Sequence, residues 1–159
     1  MSNKAGMLGI LDGYKTHQYN QKIQKSFRLS YDQDELKLFS KAKITSSDKI
    51  YETDRAIWDT GASITAISHA GARKLAAAPS ERGTTISATD LCTSDIYLAT
   101  VELPGGIVFK DIELWDVDLS DAQYDVVIGM DIISRGDLHV ISSTGSHAFY
   151  FETDQDDSR

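Results

Sequence analysis

Cysteine, cationic residues and long apolar runs are all scarce in this chain, and each shortage removes a class of protein. The single cysteine, Cys92, excludes a disulfide within the chain. Lysine and arginine number 16 against 24 aspartates and glutamates, which gives a net charge of −8. That balance argues against non-specific nucleic-acid binding, which depends on clustered cations. No apolar run approaches the length of a membrane-spanning helix. We therefore expect neither nucleic acid nor a membrane as a partner.

Length and composition predict one globular domain. The chain has 159 residues, of which 41% are hydrophobic and 25% are charged. We see no charged start followed by an apolar signal core, so we expect a cytoplasmic location. We place a loosely ordered lead-in at residues 1–22, the domain at 23–151, and an acidic, solvated tail at 152–159.

Short apolar stretches separated by polar turns predict a mostly β domain. Alternation over residues 27–31 and 36–44, around a polar cluster, predicts a hairpin. Further strands are predicted at residues 49–58, 64–67, 84–88, 96–103, 107–117, 126–128, 138–141 and 148–151. So many short strands at close spacing indicate a closed or sandwich-like arrangement.

Two short helices interrupt this strand pattern. Ser68 is placed to cap a helix that runs through Ala78. Asp131 opens a second helix at residues 132–135, which Gly136 ends.

One loop carries the most specific pattern in the chain. The apolar residues Ile57 and Trp58 run directly into the segment Asp59-Thr60-Gly61-Ala62-Ser63. Downstream, a second apolar run ends in Gly-Met-Asp, as Val126-Val127-Ile128-Gly129-Met130-Asp131. Together these segments resemble the retropepsin-like aspartic proteases, in their bacterial variant. The resemblance covers roughly residues 49–151 and implies a closed β-barrel of the acid-protease half-domain type, assembled as a homodimer.

The implied chemistry needs two carboxylates, and the chain has one in this context. Aspartic proteases hydrolyse amides with a water held between two aspartates that share one proton, because two close carboxylates do not both ionise cheaply. The ionised aspartate activates the water, and the protonated one binds the substrate carbonyl and then helps to protonate the leaving amine. The resemblance therefore implies that a two-fold axis brings Asp59 against the partner's Asp59. It implies an aspartic endopeptidase acting on extended polypeptides, with no cofactor, no metal and an acidic pH optimum.

The residues after Asp59 have supporting roles in this resemblance. The Thr60 hydroxyl would hydrogen-bond across the axis, and Gly61 would allow a tight turn close to the water. Ala62 is small enough for the crowded loop, and Ser63 would hydrogen-bond the carboxylate from below.

The second segment is expected to lie under the active-site loop. Val127, Ile128 and Gly129 would pack beneath it. We interpret Asp131 as a helix cap or a brace and not as a catalyst.

A flap is expected between the two segments, from chain order in the same family. Ala88, Thr89, Asp90 and Leu91 are the candidates for flap and substrate-binding residues. This part of the chain departs from the family pattern, because retropepsin flap tips tend to be rich in glycine and this one contains none.

Other reactive or aromatic residues are given ordinary structural interpretations. Cys92 lacks a histidine in a partner context, so we expect an unreactive thiol. The four histidines lack metal-ligand spacing, and Gly105-Gly106 is a turn. Trp58 and Trp115 are interpreted as core aromatics.

Two alternatives to a peptidase stay open at this point. The chain could be a non-catalytic retropepsin-fold module that serves dimerisation or peptide binding. It could also be an unrelated acidic β domain in which Asp59 only makes a turn, since Asp and Gly favour turns on their own account.

Overall fold

The computed structural model describes residues 22–32, 35, 37–86, 91–120, 122–143 and 146–156. Apart from Lys22, the predicted lead-in lies outside the described residues. The strands are β1 (Lys22–Asp32), β2 (Phe39–Ser46), β3 (Lys49–Trp58), β4 (Ala66–Ser68), β5 (Glu81–Ile86), β6 (Leu91–Leu103), β7 (Ile107–Val117), β8 (Val126–Ile128), β9 (Asp137–Ser143) and β10 (Ser146–Asp156). The helices are α1 (His69–Leu75) and α2 (Met130–Ile133), with a single 3-10 turn at Pro104–Gly106.

Six strands close into a barrel. Their order is β2-β3-β8-β4-β7-β6, and β6 pairs back with β2 to complete the ring. The pairs β3–β8 and β4–β7 are parallel, and the other pairs are antiparallel. Strand β5 joins only β6 among the described strands, so it stands outside the ring. The prediction of a mostly β, closed-barrel fold with two short helices is confirmed.

The barrel forms because its strands alternate apolar and polar residues. In β2, Ala42 and Ile44 point into the core, whereas the lysines between and beside them face outward. Burial of such alternating faces is the main driving force for closure.

An aromatic cluster joins the barrel to a separate three-stranded sheet of order β1-β10-β9. Trp58, at the end of β3, lies 4.9 Å from Phe151 and 5.3 Å from Phe149 between ring centroids. Phe27 of β1 packs edge-on against Trp58 at 5.6 Å. The Trp58 indole N–H donates to Ser40 Oγ at 2.9 Å, so this core aromatic is also satisfied as a donor.

The predicted hairpin between the first two strands is wrong. Strand β1 pairs antiparallel with β10 along its whole length, and β2 pairs with β3 and β6 instead. Phe27 finds its aromatic partners on β10, and the polar stretch after Asp32 is too long to impose a tight-turn register. The Tyr31 hydroxyl donates to the Phe39 carbonyl where the chain crosses between the sheets.

The acidic tail begins later than predicted. Strand β10 continues to Asp156, and residues 152–156 pair with residues 22–26 of β1. Thr153 is buried and donates to the Arg135 carbonyl at 2.6 Å. A ladder of backbone bonds with one buried side chain therefore orders a segment that its charge alone marked as solvated. Residues 157–159 lie outside the described residues.

The helices differ from prediction mainly at their ends. The Ser68 side chain accepts the Gly71 N–H at 3.0 Å, which confirms the predicted cap. Helix α1 ends at Leu75 instead of Ala78, because Ala76 adopts a left-handed conformation and donates its N–H to the Ala72 carbonyl. Among the described residues, no helix is both long and apolar enough to cross a bilayer.

The pairing of β10 with β1 beyond Phe151 predicts a measurable contribution to stability. A chain that ends at Phe151 should lose on the order of 2–4 kcal/mol of unfolding free energy relative to a chain that ends at Asp156, because several ladder bonds and the buried Thr153 are removed. Urea unfolding of the two chains checks this. Equal midpoints would contradict a structural role for residues 152–156.

Candidate active site

Backbone hydrogen bonds hold the Asp59 loop against the end of β8. The Asp59 N–H donates to the Ile128 carbonyl at 3.1 Å, and the Met130 N–H donates to the Ala62 carbonyl at 2.8 Å. Within the loop, the Ala62 N–H donates to the Asp59 carbonyl at 3.2 Å. The structure thus brings together the two segments that the sequence pattern singled out.

The Asp59 carboxylate is oriented by the backbone. Its Oδ1 accepts the Gly61 N–H at 2.8 Å, the geometry that an aspartate at the start of a turn commonly makes. A Cβ at Gly61 would lie 3.2 Å from the same oxygen, so a side chain there would crowd the carboxylate. Among the described residues no hydroxyl bonds this carboxylate, so the bond expected from Ser63 is not made within the chain.

The loop is exposed on the single chain. Asp59, Thr60, Gly61 and Ser63 are exposed and Ala62 is half-buried. The side chain of Met130, at the start of α2, is also 37% exposed.

A buried threonine hydrogen-bonds the two segments that lie beneath the loop. Thr65 is fully buried; its hydroxyl donates to Asp131 Oδ1 at 2.7 Å and accepts the Gly129 N–H at 3.1 Å. Asp131 therefore acts as a brace. The predicted capping role is wrong, because Gly129 is the N-cap residue of α2 and no side chain caps that end.

Only glycine fits at position 129, because the backbone of Ile64 lies too close for a side chain. A Cβ there would overlap the carbonyl group of Ile64. A glycine at this position lets the strand end of β8 and the chain before β4 approach closely enough for the Thr65 bonds to form.

An apolar row lies on the outer wall of the barrel beside Asp59. Strand register places five residues side by side on one face: Ile57, Val127, Ala66, Trp115 and Ile96. Ile57 precedes Asp59 by two positions, so the row begins directly before the Asp59 loop. Val127, Ala66 and Ile96 are buried yet do not belong to the barrel core. We call these five residues the apolar row.

The hairpin of β5 and β6 lies at the far end of the apolar row. Gly83 of β5 lies against the Trp115 ring. Of the flap candidates, Ala88, Thr89 and Asp90 lie outside the described residues, and Leu91 begins β6, where it pairs with Ile86.

The interpretation of the two tryptophans as core residues is right for Trp58 and wrong for Trp115. Trp115 is half-buried on the outer face of β7, whereas its neighbour Leu114 points into the core. Its indole N–H is buried and has no acceptor among the described residues.

Sequence reasoning missed Thr65, Ala66, Gly83 and Trp115 as parts of this site. They come together through the register of strands that are distant in sequence, which no local pattern reports. The alternation of Leu114 and Trp115 is a weak local signal, because two adjacent apolar residues in a strand point to opposite faces.

Comparison with known proteins agrees with this geometry. A family model described as aspartyl protease matches residues 42–132, more than half of the chain. The chain therefore belongs to the aspartyl protease family, which rules out the interpretation as an unrelated β domain.

A solved structure shows the same fold. A retropepsin-like aspartic protease from Rickettsia conorii is 16% identical, with 84% of this chain and 96% of that chain covered and a TM-score of 0.55. The retroviral protease-like domain of Ddi1 from Leishmania major is 18% identical, with coverages of 64% and 79% and a TM-score of 0.37, too low for argument. No curated protein sequence matches the chain.

The Thr65 brace predicts an unusual response to a conservative substitution. Thr65→Val keeps the shape and adds apolar surface, yet it should lower the unfolding free energy by about 1–3 kcal/mol, because Asp131 and the Gly129 N–H lose their buried partner. Thr65→Ser keeps the hydroxyl and is the matched control. Denaturant unfolding of both variants checks this, and a valine variant as stable as the serine variant would refute it.

Proposed function

We propose that this protein is a homodimeric aspartic endopeptidase in which Asp59 of each chain supplies one of the two catalytic carboxylates. One observation carries the proposal: in a chain of the aspartyl protease family, Asp59 is exposed on a loop that backbone bonds hold to β8. A chain with one such loop needs a second copy to complete the site.

The reaction follows from two carboxylates that share a proton. The ionised aspartate takes a proton from the water, which attacks the peptide carbonyl, while the protonated aspartate hydrogen-bonds the carbonyl oxygen. Collapse of the tetrahedral intermediate then requires a proton on the leaving nitrogen, which the dyad supplies. The Gly61 N–H, bound to Oδ1, orients the carboxylate throughout.

The apolar row supports an extended polypeptide as the substrate. Its two half-buried members, Ile57 beside the Asp59 loop and Trp115 beside the hairpin, can contact a substrate, whereas Val127 and Ala66 between them are buried. A substrate strand along this wall would place apolar side chains next to the scissile bond, and the β5–β6 hairpin would offer backbone groups for strand-like pairing.

The free edge of β9 is the surface that best suits a second copy. Among the described strands β9 pairs only with β10, and every residue from His139 to Ser143 is exposed. Val140 is 56% and Ile141 is 47% exposed, and these five residues include no proline, lysine or acidic side chain that would protect an edge. Antiparallel pairing of β9 with its copy would satisfy the open backbone groups and cover both aliphatic residues.

Replacing the catalytic carboxylate tests the chemistry. Asp59→Asn should abolish cleavage of a denatured protein mixture and leave the dimer intact, because the amide cannot serve as the base. Asp54→Asn, on the exposed side of β3, should cleave like the unaltered protein. Wild-type activity should fall as rising pH removes the shared proton. A stable dimer that never cleaves would favour the non-catalytic binding module.

A mixing experiment tests whether the site is shared. Equal amounts of wild-type and Asp59→Asn chains, allowed to exchange partners, should retain about one quarter of the activity of the same total amount of wild type, because only dimers of two wild-type chains are active. Retention of one half would show that each chain acts alone.

A charge on the β9 edge tests whether this edge forms the dimer interface. Val140→Lys should shift the chain toward monomer in sedimentation equilibrium and lower activity in parallel, because pairing would bury the new cation. Ile50→Lys is the matched control, since Ile50 is also 56% exposed but lies in the barrel near the start of β3. Equal dimerisation of the two variants would exclude β9 as the dimer interface.

A further inference from the structure

The β5–β6 hairpin extends from β6, which is a barrel strand paired with β7 from Ile96 onward. The Ser80 N–H and hydroxyl both donate to the Ile96 carbonyl, at 2.8 Å and 2.9 Å. Arg82 Nε donates to Asp95 Oδ1 at 2.8 Å between the two strands. Strand β5 has no partner on its other edge among the described strands, so the angle of the hairpin depends on what lies beneath it.

The Trp115 ring lies beneath β5 at one position. An added Cβ at Gly83 would overlap ring atom Cη2 and would come within 2.6 Å of Cζ3 and 2.7 Å of Ile96 Cδ1. The Gly83 backbone does not have the positive φ that favours glycine. Space is therefore the reason for glycine here, as expected where a strand approaches another group closely.

We propose that Trp115 is a positioning residue whose ring seats β5 at Gly83 and thereby sets how closely the hairpin lies over the apolar row. Its effect on catalysis rests on the peptidase function proposed above. Trp115 projects from β7 and lies between Ala66 and Ile96 in the apolar row. It therefore lies between the hairpin and the end of the row that is next to the Asp59 loop.

The contact is one of shape. The Trp115 indole N–H has no acceptor among the described residues, so no hydrogen bond from this ring holds the described part of the hairpin. A smaller apolar residue at 115 therefore leaves space without breaking a bond, and a methyl group at 83 fills part of that space. The two positions should compensate each other.

A double-mutant cycle tests this compensation without reference to activity. Gly83→Ala should speed hydrogen exchange of the β5–β6 amides by about tenfold, the size expected from overpacking. Trp115→Leu should speed it similarly by leaving a gap. The double variant should return within about threefold of wild type, which is the non-additivity expected of residues in contact. Thr84→Ala, an exposed neighbour on the opposite face of β5, is the control and should change nothing.

Kinetics on the same four proteins separate positioning from general damage. Each single variant should raise KM by roughly tenfold and change kcat by less than about threefold, because a displaced hairpin loses binding shared by substrate and transition state. The double variant should recover KM.

The outcomes divide cleanly between the two proposals. Additive effects on hydrogen exchange would show that Trp115 does not position β5. The same would follow if Gly83→Ala left exchange in the hairpin unchanged while the barrel still unfolded cooperatively. A compensating exchange cycle with unchanged KM would also overturn Trp115 as a positioning residue. If the wild-type protein also failed to cleave, the peptidase function would be overturned. The hydrogen-exchange cycle would still decide whether Trp115 positions β5.

Discussion

The buried Thr65 hydroxyl donates one hydrogen bond and accepts another, and the position of Asp59 depends on this pair. The hydroxyl links Asp131, on α2, to the Gly129 N–H at the end of β8. Because Thr65 is fully buried, a lost partner would not be replaced by solvent, so the two bonds fix their groups strongly. The Asp59 loop is bonded to the same strand end and to the first residue of the same helix. A rigid support of this kind suits a carboxylate whose work depends on its placement.

Trp58 connects this support to the rest of the molecule. It immediately precedes Asp59, and its ring packs against Phe149 and Phe151 of the three-stranded sheet. The sheet that offers the free β9 edge therefore contacts the residue next to Asp59. A change in the placement of that sheet would reach Asp59 through the packed Trp58 side chain, so the proposed assembly would be coupled to the geometry of the loop.

The local parts of the site could be predicted from sequence, and the parts assembled by register could not. The Asp59 loop and the Val-Ile-Gly segment are contiguous patterns, and family resemblance was enough to pair them. Pairing of β1 with β10, by contrast, depends on aromatic burial between residues more than a hundred positions apart. The sequence is consistent with two roles for Asp131, a helix cap or a brace. The hydrogen bond from the buried Thr65 hydroxyl identifies the brace. The core interpretation of Trp115 is wrong because apolarity alone does not say which face of a strand a residue occupies.

The pairing of β1 with β10 has a consequence for the order of events on the ribosome. Strand β1 cannot pair until β10 has been synthesised, since Lys22 pairs with Asp156. All six barrel strands precede β9 and β10 in the chain, so the ring can close before the three-stranded sheet exists. The nascent chain would thus carry a formed Asp59 loop while it still lacks the edge proposed for its partner. Emergence of β9 and β10 would therefore be the step that completes the surface proposed for the second copy.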